Sequence, residues 1–363
     1  MASFFPSRTV SIYMGRMFLV RTFSVLAGLV LVLMTLDLLG ESGKVLASPG
    51  NGQAQLWTYV GLRAPQIVAR FLPFSVLLGT LITLATLNQN SEVISLKASG
   101  LSAHQILAPL VVTGLMVAGI SFAFNERVVA RATATLSAWQ KVDYGPLPKG
   151  TGVLSNVWVR DGEDLIRAGS AAGRGAATRL TDVSVYDRRG GTLLSVVTAR
   201  EARLDGDAWV LTGAKRFDVA TGTSADIGTV RTLAGVTPDQ FTLASVDPDG
   251  LSFRDLARAI ADLKAAGRPT QALEASLWHK VSGPLSSVLM PLLGAVAGFG
   301  LARSGRLFIR AVIGMALGFT YFVADNFALA MGNLGAYPPI LAAWAPFLLF
   351  LMIGETVLVR TEE

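Results

Sequence analysis

The sequence predicts an α-helical membrane protein with six transmembrane helices and an extracytoplasmic all-β, jellyroll-like domain inserted between helices 3 and 4. Three observations predict it. Of 363 residues, 52% are hydrophobic and 15% charged, where soluble domains carry about 25% charged residues. Long apolar runs recur three times before residue 125 and three times after residue 276. Between them, from about Asp143 to Pro248, the pattern changes to period two with turn residues at short intervals. The expected divisions are a first membrane half over 1–124 with a short helix at 91–100, a β-domain with flanking linkers over 125–250, a connecting helix over 251–276, and a second membrane half over 277–363.

Residues before Thr22 carry Arg8, Arg16 and Arg21 and no acid, and the apolar run Thr22 to Leu36 follows. A cleavable signal peptide has the same opening, but no small-residue cleavage site follows cleanly. Asp37 to Gly43 reads as the place where helix 1 leaves the bilayer. The second span begins around Ala64-Pro65, with Pro73 early in it, and ends near Asn88-Gln89-Asn90. Next comes Ser91-Glu92-Val93-Ile94-Ser95-Leu96-Lys97-Ala98-Ser99-Gly100. Asn90 or Ser91 can cap a helix start, Glu92 suits the positive end of its dipole and Gly100 suits its end. An amphipathic helix of about ten residues is marginal alone in water, so it must dock, on the membrane, on its neighbours or on a partner.

The third span is His104 to Phe124, and Asn125-Glu126-Arg127 closes the first half. In the β-region, Asp161-Gly162, Arg189-Gly190-Gly191 and Asp205-Gly206 separate short alternating runs as hairpin turns. Gly169 to Gly175 is small and Gly-rich and reads as a loop. Ser252 caps an amphipathic helix to Ala266, with Phe253, Leu256, Ala257, Ile260 and Leu263 on one face. The last three spans are Val281 to Leu301, Ala311 to Met331 and Ile340 to Val359.

Charge fixes an expected orientation. Asn125 to Ser276 holds 19 Lys/Arg against 18 Asp/Glu, so most of the net +6 flanks the apolar spans. That distribution is a topology signal and argues against nucleic acid as a partner. Arg8, Arg16, Arg21, Lys97, Arg303, Arg306, Arg310 and Arg360 fall on one side if both termini are cytoplasmic. The β-domain is then extracytoplasmic and the 91–100 helix faces the cytosol.

Chemistry is sparse. The chain has no cysteine, which excludes disulfides, thiolate metal sites and a Cys nucleophile. It has no Gly-x-x-x-x-Gly-Lys-Ser/Thr phosphate loop. His104 and His279 sit at opposite membrane boundaries in this topology and cannot share a metal; each reads as an amphipathic ring at an interface. Asp325 is the one charge well inside an apolar run, a costly placement that points to function. A partner across a helix interface, a solvated cavity and a substrate contact all suit it. Glu355, near the end of the last span, reads as snorkelling or paired with an arginine.

Several segments together resemble the LptF/LptG family of lipopolysaccharide-export permeases over nearly the whole chain. They are Phe71-Leu72-Pro73, Leu77-Leu78-Gly79, Ser91-Glu92-Val93 through Ala98-Ser99-Gly100-Leu101-Ser102, Asp247-Pro248-Asp249-Gly250-Leu251-Ser252, Trp278-His279-Lys280 with Pro284-Leu285-Ser286, and Pro338-Pro339. The Asp-Pro-Asp and Trp-x-Lys segments resemble the LptG branch more than LptF. The resemblance implies a permease subunit of an ATP-binding-cassette transporter in the Gram-negative inner membrane, not an enzyme. Its implied partners are an LptF-type paralogue, two copies of the cytosolic ATPase LptB, LptC and LptA of a periplasmic bridge, lipopolysaccharide and membrane lipids. No cofactor belongs to this chain, because ATP and Mg sit on the ATPase. The 91–100 helix then becomes a coupling helix, with Glu92 as a charge-assisted anchor, Val93, Ile94 and Leu96 as apolar contacts, and Lys97 beside them.

One departure stands out. Family members can carry lysines at the outer end of helix 1 that meet the phosphorylated lipid sugar, where this chain has Asp37-Leu38-Leu39-Gly40-Glu41. Lys44, Arg63, Arg70, Arg127, Arg131 and Lys141 are the alternative cations near that surface. Two rival readings remain: the LptF paralogue of the same complex, and a membrane-bound lipid- or glycan-modifying enzyme using Asp161, Glu163 and Asp164.

Overall fold

The structure is a computed structural model that describes residues 6–146, 154–173, 177–238, 241, 247–265, 268–298 and 307–360. Arg303 and Arg306, used above for orientation, lie outside the described residues. The chain divides into two compact units: Met1–Pro146 with Pro248–Ala257 and Gln271–Glu363, and Leu147–Asp247 with Arg258–Thr270.

The first unit is helical. Its elements are α1 (Arg8–Ala47), α2 (Gln53–Gln89), α3 (Glu92–Ala98), α4 (Ala103–Phe124), a π-helical turn (Asn125–Val129), α5 (Ala130–Gln140), the start of α6 (Phe253–Ala265), α7 (Gln271–Gly298), α8 (Leu307–Asn333) and α9 (Pro339–Arg360). Among the described residues, five helices are long and apolar enough to cross a membrane: Arg8–Ala47, Gln53–Gln89, Ala103–Gln140, Val312–Asn333 and Pro339–Arg360. The remaining expected span is α7. It packs against α2, α4, α8 and α9 at the centre of the bundle, and its Ser282, Ser286 and Ser287 are buried there beside Leu289, Leu292 and Leu293. A helix covered by protein on most sides does not need a lipid-like surface, which accounts for its polar content.

Close approach of backbones holds this bundle. A Cβ on Gly79 of α2 would fall 2.9 Å from the Thr22 backbone of α1, and one on Gly114 of α4 would fall 2.8 Å from the Ser287 carbonyl oxygen of α7. Small residues at such crossings maximise packing where lipid offers no hydrophobic drive.

Two expected ends of spans are not ends of helices. Helix α1 continues unbroken to Ala47, past the Asp37–Gly43 exit expected for it. The third span continues beyond Phe124 through the π-helical turn to Gln140. The polar residues that suggested a stop are used sideways. Asn125 donates to the Ser121 carbonyl at 2.9 Å, and the Glu126 carboxylate accepts the Phe253 backbone N–H at 2.7 Å, satisfying one free donor at the start of α6. Ser252 caps α6 as expected, accepting from the Asp255 N–H at 3.2 Å.

The second unit contains one antiparallel sheet in which six strands follow in chain order: β1 (Leu154–Asp161), β2 (Asp164–Ala172), β3 (Arg179–Arg189), β4 (Thr192–Asp205), β5 (Ala208–Asp218) and β6 (Ser224–Thr232). The three turns read from the sequence are two-residue hairpins, closed by Asp161↔Asp164, Arg189↔Thr192 and Asp205↔Ala208. Gly190 and Gly191 both take positive φ, 56° and 82°, as a right-twisted hairpin requires. Alternate residues Ile166 and Ala168, Val183 and Val185, and Val197 and Ala199 form the buried face, closed by Trp209 and Phe241. The Gly169–Gly175 loop needs correction, since β2 runs through Ala172. Gly169 sits in the strand because a Cβ there would lie 2.7 Å from the Asp182 side chain, where β3 kinks at a φ of 53°. Residues 174–176 lie outside the described set.

Candidate functional site

The polar stretch between α2 and α4 is a compact, pinned element. Ser91 enters it in the left-handed region, φ 58°. Helix α3 ends in a Schellman motif: the Leu101 N–H reaches the Leu96 carbonyl at 3.2 Å and the Gly100 N–H the Lys97 carbonyl at 3.0 Å, with Gly100 at φ 87°. Ser102 and Gln105 then form a reciprocal capping box, Ser102 Oγ accepting the Gln105 N–H at 3.2 Å and Gln105 Oε1 accepting the Ser102 N–H at 3.0 Å. That box starts α4; at the start of α3 the side-chain cap expected of Ser91 is not made, because Ser91 is left-handed, so the seven-residue helix gains its order from its C-terminal motif and its root in the bundle.

Faces of α3 divide cleanly. Val93 is 4% exposed and belongs to the bundle core, and Leu96 packs on the same core with Leu101. Ile94 is 55% exposed, and Ser95, Lys97 and Ala98 share the open side. Val93 is therefore corrected from an outward contact to a root, because spacing of three pairs it with Leu96 and leaves Ile94 outside. Glu92 is half-buried; Oε1 accepts from Asn90 Nδ2 at 3.1 Å and from Tyr13 Oη of α1 at 3.4 Å. Tyr13 carries no local sequence signal for this role, being 79 residues away. At the same end of the bundle His104 Nε2 lies 3.3 Å from Glu355 Oε2 of α9, so this histidine has a carboxylate partner and Glu355 a histidine in place of an arginine.

The opposite end resolves the six candidate cations. Arg63 is taken by Asp37 of α1 through a fork, with Nη2 to Oδ1 at 2.9 Å and Nε to both oxygens at 3.2 Å. Tyr59 Oη donates to the same carboxylate at 2.6 Å. Lys44 pairs with Glu41 at 2.8 Å, and Glu41 also accepts from Tyr144 Oη at 2.8 Å. Burial pushes the Tyr144 phenol up, which keeps it a donor. Arg70, Arg127, Arg131 and Lys141 are exposed, and among the described residues none of these four makes an ion pair. Arg127 and Arg131 stand four positions apart on the continuous helix.

Inside the bundle, Asp325 of α8 is buried and its Oδ2 lies 2.9 Å from His279 Nε2 of α7. His279 is thus corrected from an interfacial ring to the partner of the intramembrane acid. In the second unit one of the acids proposed for an enzyme bonds across strands: Asp164 Oδ1 of β2 accepts the Arg188 N–H of β3 at 2.9 Å. Among the described residues no cluster of His, Asp and Glu suited to a metal occurs.

The sequence is similar to known permeases. The family model for the lipopolysaccharide export system permease LptF/LptG matches residues 12–360. The chain is 28% identical over 314 residues to the lipopolysaccharide export system permease protein LptG of Escherichia coli strain K12, covering 83% of this chain and 84% of that protein. It is 26% identical over 358 residues to the LptG protein of Haemophilus influenzae, covering 94% of this chain and 97% of that protein. A membrane-type helical unit with an inserted antiparallel sheet and a family match across nearly its whole length lead to one assignment: the chain belongs to the LptF/LptG family of lipopolysaccharide export permeases.

Proposed function

We propose that the chain is the LptG-type subunit of an ATP-binding-cassette exporter, paired with an LptF-type paralogue and driven by two copies of the cytosolic ATPase LptB. It draws lipopolysaccharide out of the inner membrane and hands it to a periplasmic bridge that includes LptC and LptA. Both termini are cytoplasmic on this reading, so α3 faces the ATPase and the sheet unit faces the periplasm. ATP and Mg are held by the ATPase and not by this chain. The observation that carries the reading is α3 itself: rooted by Val93 and Leu96, closed at its end by Gly100 and Leu101, and exposed along Ile94, Ser95, Lys97 and Ala98.

Such a helix transmits a push with little internal give, because Val93 and Leu96 fix it to the bundle core and short turns join it to α2 and α4. Glu92 supplies an anionic anchor at its start, and Ile94 an apolar contact. At the far end, Asp37 and Glu41 neutralise Arg63 and Lys44. The lipid phosphates fall to Arg127 and Arg131, with Arg70 and Lys141 flanking.

Co-purification with untagged partners tests this reading. Glu92→Arg places a cation where the anchor is and lowers recovery of the ATPase about tenfold or more, a loss comparable to one charge-assisted contact, while the thermal transition of the isolated chain stays in place. Full recovery of the ATPase together with unchanged ATP-driven lipid release removes Glu92 from the mechanism.

A further inference from the structure

The bundle holds a polar seam that coupling through α3 does not use. On α7, His279, Ser282 and Ser286 stand at positions i, i+3 and i+7, one face of a helix. On α8, Tyr321 and Asp325 stand four apart and face them. Across the seam His279 Nε2 lies 2.9 Å from Asp325 Oδ2, within hydrogen-bonding distance. Asp325 Oδ1, Tyr321 Oη and Ser282 Oγ are buried without hydrogen-bond partners among the described residues. Tyr321 Oη faces Ser286 outside hydrogen-bonding geometry, and its ring packs edge-on against Phe350 of α9 at 5.4 Å.

The side of α8 turned away from Asp325 carries Phe319, Val323 and Phe327, all exposed. With 3.6 residues per turn, Asp325 and this apolar face are locked in opposite directions, so whatever holds Asp325 also sets which way the phenylalanines point. Glycine approaches at Gly318 to Leu77 and at Gly332 to Ala342 set how closely α8 packs, and a polar bond adds a directional constraint to that packing. A polar bond to a buried acid specifies rotation well, because turning α8 away would leave the Asp325 side chain without its partner in an apolar layer.

We propose that His279 and Asp325 are positioning residues: their bond fixes the rotation of α8 on α7 and thereby the direction in which the exposed apolar face of α8 points. This rests on the transport reading given above.

The test separates the bond from the transport reading. The chain has no native cysteine, so Trp278→Cys and Phe327→Cys, both at exposed positions, accept spin labels that report the α7–α8 distance in the full chain. Asp325→Asn and His279→Gln are expected to shift the ratio of a second distance population to the first by about tenfold, the change matching loss of one buried bond. The double exchange His279→Asp with Asp325→His restores the single population. Tyr321→Phe, which keeps ring packing and removes only the hydroxyl, leaves the distance unchanged. A distance unmoved by Asp325→Asn, an exchange that fails to restore it, or a Tyr321→Phe shift as large as that of Asp325→Asn overturns the assignment. In the complete complex, Asp325→Asn lowers lipid released per ATP hydrolysed several-fold with ATP hydrolysis retained, and the exchange recovers it. Normal release beside a shifted distance would leave the bond in place but overturn its part in transport.

Discussion

Asp37 accepts three kinds of hydrogen bond from α2: from Tyr59 Oη, from Arg63 Nε and from Arg63 Nη2. In the sequence it reads as a residue leaving the membrane, since an acid after fifteen apolar residues marks a boundary. Its partners lie 22 and 26 positions away, too far for any local pattern to announce them. The same is true of His279 and Asp325, 46 apart, and of Tyr13 and Glu92. Each of these residues is conspicuous alone, and only the packing of helices says what it is conspicuous for. Asp37→Ala leaves the Arg63 guanidinium half-buried and unpaired. It is expected to destabilise the chain by about 1–2 kcal/mol, a partly exposed pair being discounted from the cost at a buried one. Asp37→Ala with Arg63→Ala together costs less than Asp37→Ala alone, measured by thermal unfolding in detergent. Equal or greater loss in the double variant contradicts the pairing.

At the scale of elements, α3 was legible because its signals are local. A start signal, a stop glycine and an amphipathic pattern lie within twelve residues, and the caps form between near neighbours. Which apolar residue faces in was not legible: Val93, Ile94 and Leu96 are equivalent in hydrophobicity, and the docking angle on α2 and α4 selects Val93 and Leu96. Helix lengths were underestimated for a related reason. Polar residues such as Asn125 and Glu126 suggest an end by composition, yet they are satisfied by Ser121 and by the start of α6, so the helix continues. Gly100 tests the stop. At φ 87° an alanine costs about 1 kcal/mol, so Gly100→Ala is expected to raise amide exchange at Gly100 and Leu101 roughly five-fold. Unchanged protection there would mean that the Schellman bonds do not hold α3.

Across the whole molecule, the pairing of cations leaves fewer candidates for a headgroup contact, on the transport reading proposed above, than composition offered. Six basic side chains are candidates, and two of them are spent on Asp37 and Glu41. If Arg127 and Arg131 meet lipid phosphates, Arg127→Glu with Arg131→Glu lowers the lipopolysaccharide that co-purifies with the complex by about tenfold. Retention by the parent falls as salt rises from 0.05 to 0.5 M, roughly, since exposed charges are screened over about 10 Å at 0.1 M. Lipid recovery independent of both the substitutions and salt assigns the grip elsewhere. The separate Lys44→Ala change is expected to have little effect, its charge being already countered.

The sequence by itself determined the class of this protein: where the chain is apolar enough for a bilayer, where its period changes from helix to strand, and where the hairpins turn. Those properties depend on neighbours within a few positions, and residues carry them wherever they are placed. The tertiary structure decided who pairs with whom. Arg63 became a structural partner instead of a free cation, Val93 a root instead of a contact, and His279 the companion of a buried acid. Such outcomes depend on distances between helices whose contacts join residues tens to hundreds of positions apart. Burial, which makes a charge seek its partner, exists only once the chain has folded.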